Sequence, residues 1–316
     1  MPTPPGATYE IGSITKQFTA AAILLLQERG RLALDDEITK YLPDYPTQGR
    51  RITLRRLLNH TSGIRGYTEM PAFDELMVFQ RPRQALVDLF SREPFDFEPG
   101  EEQIYNNSAF FLLGLIIERI TGAPYETFVQ HELFDRVGMP SSYYCSSRAV
   151  HKNHAHGYDT GKDGLELKGY LDHTWPYSAG SLCSNTADLV AWNRALHGGK
   201  VLSAASYQAM IAPGVLNDGT KLRYGLGIGV ADLGGRHAIA HGGGINGFLS
   251  ESEYYPDDDL IVVVLQNTAG PSGPRDLAKQ IVQAVLGPAP DRTKPFSGDA
   301  SAYAGTYTER GRGAPA

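Results

Sequence analysis

Ser13-Ile14-Thr15-Lys16 sets a hydroxyl and an amine three positions apart. On a helix that spacing makes the two side chains neighbours, with Cβ atoms about 5–6 Å apart, so they can act as nucleophile and base. Ser13 alone also reads as a helix cap. Lys16 is harder to explain as a bystander, because Phe18 to Leu26 contains one polar residue, Thr19. Burying an unpaired ammonium costs several kcal/mol, so something polar must meet it. Desolvation would also loosen its proton, as a base for a serine hydroxyl requires. The helix amides beside Ser13 favour negative charge developing there.

Two further groups could complete such a site. Tyr105-Asn106-Asn107-Ser108 opens an apolar helix. Its plain reading is a packed tyrosine with Asn107 as cap; its functional reading is a phenol that relays protons and an amide that holds Lys16 and a substrate carbonyl. His241-Gly242-Gly243-Gly244 ends a predicted strand. Glycines there mark a turn or bulge, and they also let backbones approach, with the Gly244 amide as oxyanion donor and His241 as a proton-dependent contact. Gly242-x-Gly244-x-x-Gly247 has the form of a dinucleotide fingerprint, but a strand follows where that motif needs a helix. His151, His154, His156 and Asp159 crowd one stretch in no standard ligand spacing, so neither metal nor cofactor is expected.

These residues must be carried by a fold. Ile14 to Glu28 is apolar nearly all round and ends at Gly30, which predicts a buried central helix. Thr53 to Asn59, Ser108 to Ile120, Tyr125 to Phe134 and Ala187 to His197 predict further helices, so the stretch from about 35 to 200 reads as mainly helical. Beyond residue 220, Arg223 to Val230, His237 to His241, Phe248 to Tyr255 and Leu260 to Leu265 predict an antiparallel meander, closed by a helix from Arg275 to Leu286. The expected fold is α+β: an antiparallel sheet flanked by helices in a lobe of about 1–34 and 200–287, with an all-helical lobe of about 35–199 inserted. A ligand would sit in the cleft between lobes. Residues 288–316 read as a linker and the possible start of another domain.

Composition narrows the function classes. The 316 residues are 41 % hydrophobic and 20 % charged, an ordinary globular balance. Lys+Arg 29 against Asp+Glu 35 leaves a net charge of −6, so nucleic acid is not an expected partner. Apolar stretches such as Ala20 to Leu26 fall far short of the roughly 20 residues that span a bilayer. The opening Met-Pro-Thr-Pro-Pro-Gly has no secretory-signal pattern. Cys145 and Cys183 support no disulfide framework and read as filler.

Taken in order, Ser13-x-x-Lys16, Tyr105-x-Asn107 and His241-x-Gly243 resemble the three signatures of the β-lactamase-like serine hydrolases, which include class C β-lactamases, D-alanyl-D-alanine carboxypeptidases, D-aminopeptidases and related esterases. Leu57-Leu58-Asn59-His60-Thr61-Ser62-Gly63-Ile64, Ser178-Ala179-Gly180-Ser181-Leu182 and Tyr224-Gly225-Leu226-Gly227 extend the likeness over residues 9 to 287. The resemblance implies Ser13 as acylated nucleophile, Lys16 with Tyr105 as its base system, and the amides of Ser13 and Gly244 as oxyanion hole. It implies Asn107, His241 and Gly243 as substrate-binding residues. It also implies an ester, amide or peptide substrate and a periplasmic or secreted location, or a cytoplasmic one if the chain is complete as given.

Departures from the pattern shift the expectation. His241 replaces a lysine found in many members and Gly242 a common threonine, which places esterase or D-amino-acid amidase ahead of carboxypeptidase or β-lactamase. Relatives carry two sheet strands before the serine, whereas 12 residues precede it here. The sheet is therefore expected to lack its first strands and the polypeptide to be incomplete. Tyr303-Ala304-Gly305-Thr306-Tyr307 looks like the first strand of an appended, truncated barrel. The alternative from another class is a non-catalytic penicillin-binding sensor or an inactive homologue.

Overall fold

The computed structural model describes residues 3–146, 151–268, 270–288 and 298–305. Its centre is the Thr15–Glu28 helix, buried from Thr15 through Leu26 and followed by Gly30 at φ +65°. Apolar faces all round are needed because protein surrounds it: the helices Asn107–Thr121, Tyr177–Gly180 and Ala204–Ile211 all pack on it. Phe18 stacks on Trp192 at 4.1 Å and meets Phe134 edge-on at 5.4 Å between ring centroids. Burying a side chain of that size contributes about 1.5–3 kcal/mol.

Nine strands occur among the described residues. β1 (Tyr9–Glu10), β2 (Tyr143–Tyr144) and β5 (Leu182–Ser184) form a small sheet in the order β1-β5-β2, and β3 (Tyr158–Gly161) pairs with β4 (Gly164–Leu167) as a hairpin. β6 (Gly229–Leu233), β7 (Arg236–Ile245), β8 (Phe248–Tyr255) and β9 (Leu260–Gln266) follow as an antiparallel meander. The helix Thr186–His197 packs on β9, and the helix Pro274–Leu286 covers β8 and β9. The fold is α+β. No helix among the described residues is long and apolar enough to cross a membrane.

Several expectations change. The stretch 35–200 also holds β2 to β5, strands too short to leave a period in sequence. The expected strand Arg223–Val230 shifts to Gly229–Leu233, which shares only Gly229 and Val230 with it, and Tyr224 is joined to Gly229 by a single bridge. β7 does not stop at His241; it runs through the three glycines to Ile245, and Asn246-Gly247 makes the turn into β8. Asn-Gly is a favoured two-residue hairpin pair, and Gly247 has φ +71°.

Cys145 and Cys183, read as filler, form a disulfide. Antiparallel pairing of Tyr143 with Cys183 and Tyr144 with Leu182 brings the two cysteine Cα atoms to 5.4 Å, a proximity that a sequence separation of 38 conceals. Tyr303 closes a 3₁₀ turn, Ala300–Tyr303, rather than opening a strand. Thr306 and Tyr307 lie outside the described residues, as does most of the expected linker.

On the sheet face beneath the Pro274–Leu286 helix, Glu251 is 3 % exposed, and its Oε1 finds no hydrogen-bond partner among the described residues. Its Oε2 lies 3.4 Å from Arg275 Nε. Burial pushes this carboxyl up to about 7, with Arg275 opposing and Glu253 adding to the rise. A carboxyl raised in the folded state binds more protons folded than unfolded. Stability therefore falls as pH rises from about 4.5 to about 7 and levels off above. Glu251→Gln should stabilise the protein by roughly 1–3 kcal/mol at pH 8 and hardly at all at pH 4. Thermal melts at both pH values check this; equal shifts would refute it.

Candidate active site

Ser13 lies on a 3₁₀ turn, Gly12–Ile14, that feeds directly into the central helix. The turn is pressed against β7. Gly12 has φ +51°, and a Cβ there would stand 2.9 Å from Gly244 N; a Cβ at Gly243 would stand 2.1 Å from Ile11 O. Both positions need glycine for this approach. Ser250 Oγ donates to Ile11 O at 2.9 Å and pins the turn from β8. Ser13, Asn107, Ala179 and Gly244 thereby line one cleft of about 170 Å³, with Tyr67, Phe73, Leu171 and Ile245 as its apolar walls. A larger groove of about 640 Å³, running past Tyr45, Arg92 and Arg119, touches none of these groups.

Lys16 is fully buried. Its Nζ donates to Ser13 Oγ at 3.0 Å, Asn107 Oδ1 at 2.8 Å and the Ala179 carbonyl at 2.8 Å. It also lies 4.7 Å from the centroid of the Tyr105 ring and 5.5 Å from that of Phe110. No carboxylate is among these partners. The ammonium is thus satisfied in hydrogen bonds but not in charge, and burial drives its pKa well below the ordinary lysine value.

Asn107 is free for this contact because it is not the cap. Asn106 holds that place, at φ −145° and ψ 115°, with Oδ1 accepting from Ala109 N at 2.8 Å. The asparagine amide of residue 107 instead accepts from Lys16 and donates from Nδ2 to Thr68 Oγ1 at 3.1 Å. Burial raises the Tyr105 phenol, and a hydrogen bond with Ser13 opposes the rise. The residue is still 41 % exposed, so water in the cleft reaches the ring and tempers the effect.

His241 departs from the expectation of a proton-dependent contact. Tyr224 Oη lies 2.8 Å from its Nε2 and Gly242 O 2.6 Å from its Nδ1. The carbonyl can only accept, so Nδ1 carries the proton and Nε2 accepts from the phenol. Burial first, then the Lys16 charge, lower this imidazole to about 3, which leaves it neutral at physiological pH. Gly243 serves the backbone approach to Ile11 described above. The histidine-rich stretch goes elsewhere: His151 stacks on Tyr143, and His154 Nδ1 lies 2.9 Å from the Tyr143 hydroxyl. His154 Nε2 and His173 Nε2 each lie 3.7 Å from buried Glu10, which Lys168 also meets. Burial would raise that carboxyl, but these bonds and charges outweigh it and hold it well below the usual range.

With this geometry in place, comparison with known proteins is decisive. The family model described as Beta-lactamase matches residues 1–286. The chain belongs to the Beta-lactamase family. Among curated proteins it is similar to penicillin-binding protein 4* of Bacillus subtilis (strain 168), 29 % identical over 283 residues that make up 84 % of this chain and 62 % of the relative. It is likewise similar to D-aminopeptidase of Brucella anthropi, 28 % identical over 308 residues, 95 % of this chain and 56 % of the relative. The chain thus spans less than two thirds of either relative's length. Among solved structures it resembles a D-stereospecific amidohydrolase from Streptomyces sp., with a TM-score of 0.78, 29 % identity and coverage of 90 % of this chain and 88 % of that one.

For this member of the Beta-lactamase family, sequence reasoning did not single out four groups at the site: the Ala179 carbonyl, Thr68, Tyr224 and His60. A backbone acceptor leaves no residue signal, and Thr68 sits on a single 3₁₀ turn, Tyr67–Glu69, too short to leave a pattern. Tyr224 and His60 fall inside runs whose likeness to the family was visible without a role attached.

Proposed function

We propose that the protein is a serine hydrolase that cleaves ester or amide bonds through an acyl-Ser13 intermediate. The observation that carries this reading is the hydrogen-bond set of Lys16. Two of its three partners, Asn107 Oδ1 and the Ala179 carbonyl, can only accept, whereas Ser13 Oγ can also donate. A neutral amine in this setting spends two N–H groups on the two acceptors and turns its lone pair to the serine hydroxyl.

In the proposed cycle Ser13 Oγ attacks the substrate carbonyl carbon while its proton passes to the Lys16–Tyr105 pair. The amides of Ser13 and Gly244 receive the oxyanion, and Asn107 orients Lys16 and the carbonyl. The pair returns the proton to the departing alcohol or amine. Water then gives a proton to the same pair and attacks the acyl carbon; the pair hands that proton to Ser13 Oγ as the acyl–oxygen bond breaks, which releases the acid and restores Ser13. His241, held by Tyr224, and Gly243, pressed on Ile11, back the cleft from behind its lining residues. Gly242 and neutral His241 present neither hydroxyl nor cation to a substrate carboxylate, which favours esters and D-amino-acid amides over peptides with a free carboxyl terminus or β-lactams. The relatives named D-aminopeptidase and D-stereospecific amidohydrolase support the amide class. The sheet and central helix make one lobe and the helices of about 35–199 the other, with the site between them. The disulfide accords with maturation in an oxidising compartment.

A nitrophenyl ester tests the reading. Steady release after any burst marks an enzyme, whereas one equivalent released without continuation marks an acyl trap or sensor and overturns hydrolase function. Short acyl esters, D-alanyl amides and nitrocefin then rank the substrate classes.

A further inference from the structure

His60 has no part in the cycle above, yet its conformation is costly and its contacts converge on one residue. It is 1 % exposed and has φ +62°, a left-handed backbone uncommon outside glycine. In that conformation its carbonyl accepts from Ile104 N at 3.2 Å, and its Nδ1 accepts from Asn106 N at 3.1 Å. These are the two backbone amides that flank Tyr105. The imidazole also lies against the phenol ring, 4.4 Å between centroids. Since Nδ1 accepts, the ring proton resides on Nε2, which has no hydrogen-bond partner among the described residues. Phe110 at 5.1 Å and Tyr224 at 4.9 Å complete the aromatic enclosure.

We propose that His60 is a positioning residue: it grips the chain on both sides of Tyr105 and sets the phenol over Lys16, beside Ser13. The inference rests on the proposed role of Tyr105 in proton transfer. His60 does not itself touch substrate; it fixes where the hydroxyl stands. Neutrality suits this task, because a protonated Nδ1 would lose its bond to Asn106 N. Burial and the neighbouring Lys16 charge keep the imidazole well below its usual pKa.

Two variants that both tolerate the left-handed backbone separate the grip from the strain. H60G removes ring and acceptor, whereas H60N keeps an acceptor close to the place of Nδ1. With a nitrophenyl ester, H60G should lower kcat by about 10–100-fold with KM changed less than about threefold, and H60N should recover most of the loss. In a Y105F background H60G should cost less than about threefold more, because its effect passes through that phenol. Wild-type kcat in H60G, H60N as impaired as H60G, or an undiminished loss in the Y105F background would each overturn the inference. Y105F with wild-type kcat would instead overturn the role of Tyr105 itself. If H60G does not fold, H60Q, whose acceptor lies one bond further out, takes its place under the same criteria.

Discussion

Ser13→Ala should yield a folded protein that neither turns over an ester nor gains the mass of a fluorophosphonate or β-lactam adduct. Loss of the sole nucleophile of an acyl-transfer site costs on the order of 10⁴–10⁶ in kcat. The fold should survive, because Ser13 Oγ is one of three partners of Lys16, and the Asn107 and Ala179 contacts remain. Intact-mass spectrometry checks the adduct and a thermal melt checks the fold. A Ser13→Ala protein that still acquires the adduct would place the nucleophile elsewhere.

Lys16→Ala should lower kcat by several orders of magnitude, and adding Tyr105→Phe should cost far less than the product of the two single losses. Groups that move one proton as a unit do not lose rate additively. Unlike the serine change, this one should also destabilise, because it leaves Asn107 Oδ1 and the Ala179 carbonyl without their buried donor. Each orphaned acceptor costs about 1–3 kcal/mol. Rates must therefore be measured well below the lowered melting temperature. Fully multiplicative losses would separate the phenol from the amine and dissolve the proposed pair.

Sequence revealed the parts of the site that depend on short spacing and on contrast. Ser13 and Lys16 stand one turn apart, and a charged residue entering an apolar run demands a partner, so their contact could be anticipated. The meander was visible because β8 and β9 are bounded by the turn from Pro256 to Asp259. What stayed hidden depends on register and on competition between neighbours. Asn106 and Asn107 are equally good caps by residue type, and backbone geometry alone decides that the first caps while the second meets Lys16. The cysteines are joined through strands of two and three residues, too short to read from pattern. His241 carries a residue type that titrates near neutrality in water, but enclosure against Tyr224 and Lys16 silences it.

The three acceptors of Lys16 come from chain positions 3, 91 and 163 residues away. One small buried amine therefore acts as a rivet through remote parts of the molecule, and its proposed chemistry exists only while they stay fastened. Any loosening that let solvent in along the Tyr177–Gly180 helix would rehydrate the amine, return it to ordinary basicity and extinguish the proposed base, even with every strand still in place. Under the proposed mechanism reactivity doubles as a gauge of global assembly, and under gradual denaturation it should fade ahead of the spectroscopic signal of the helices.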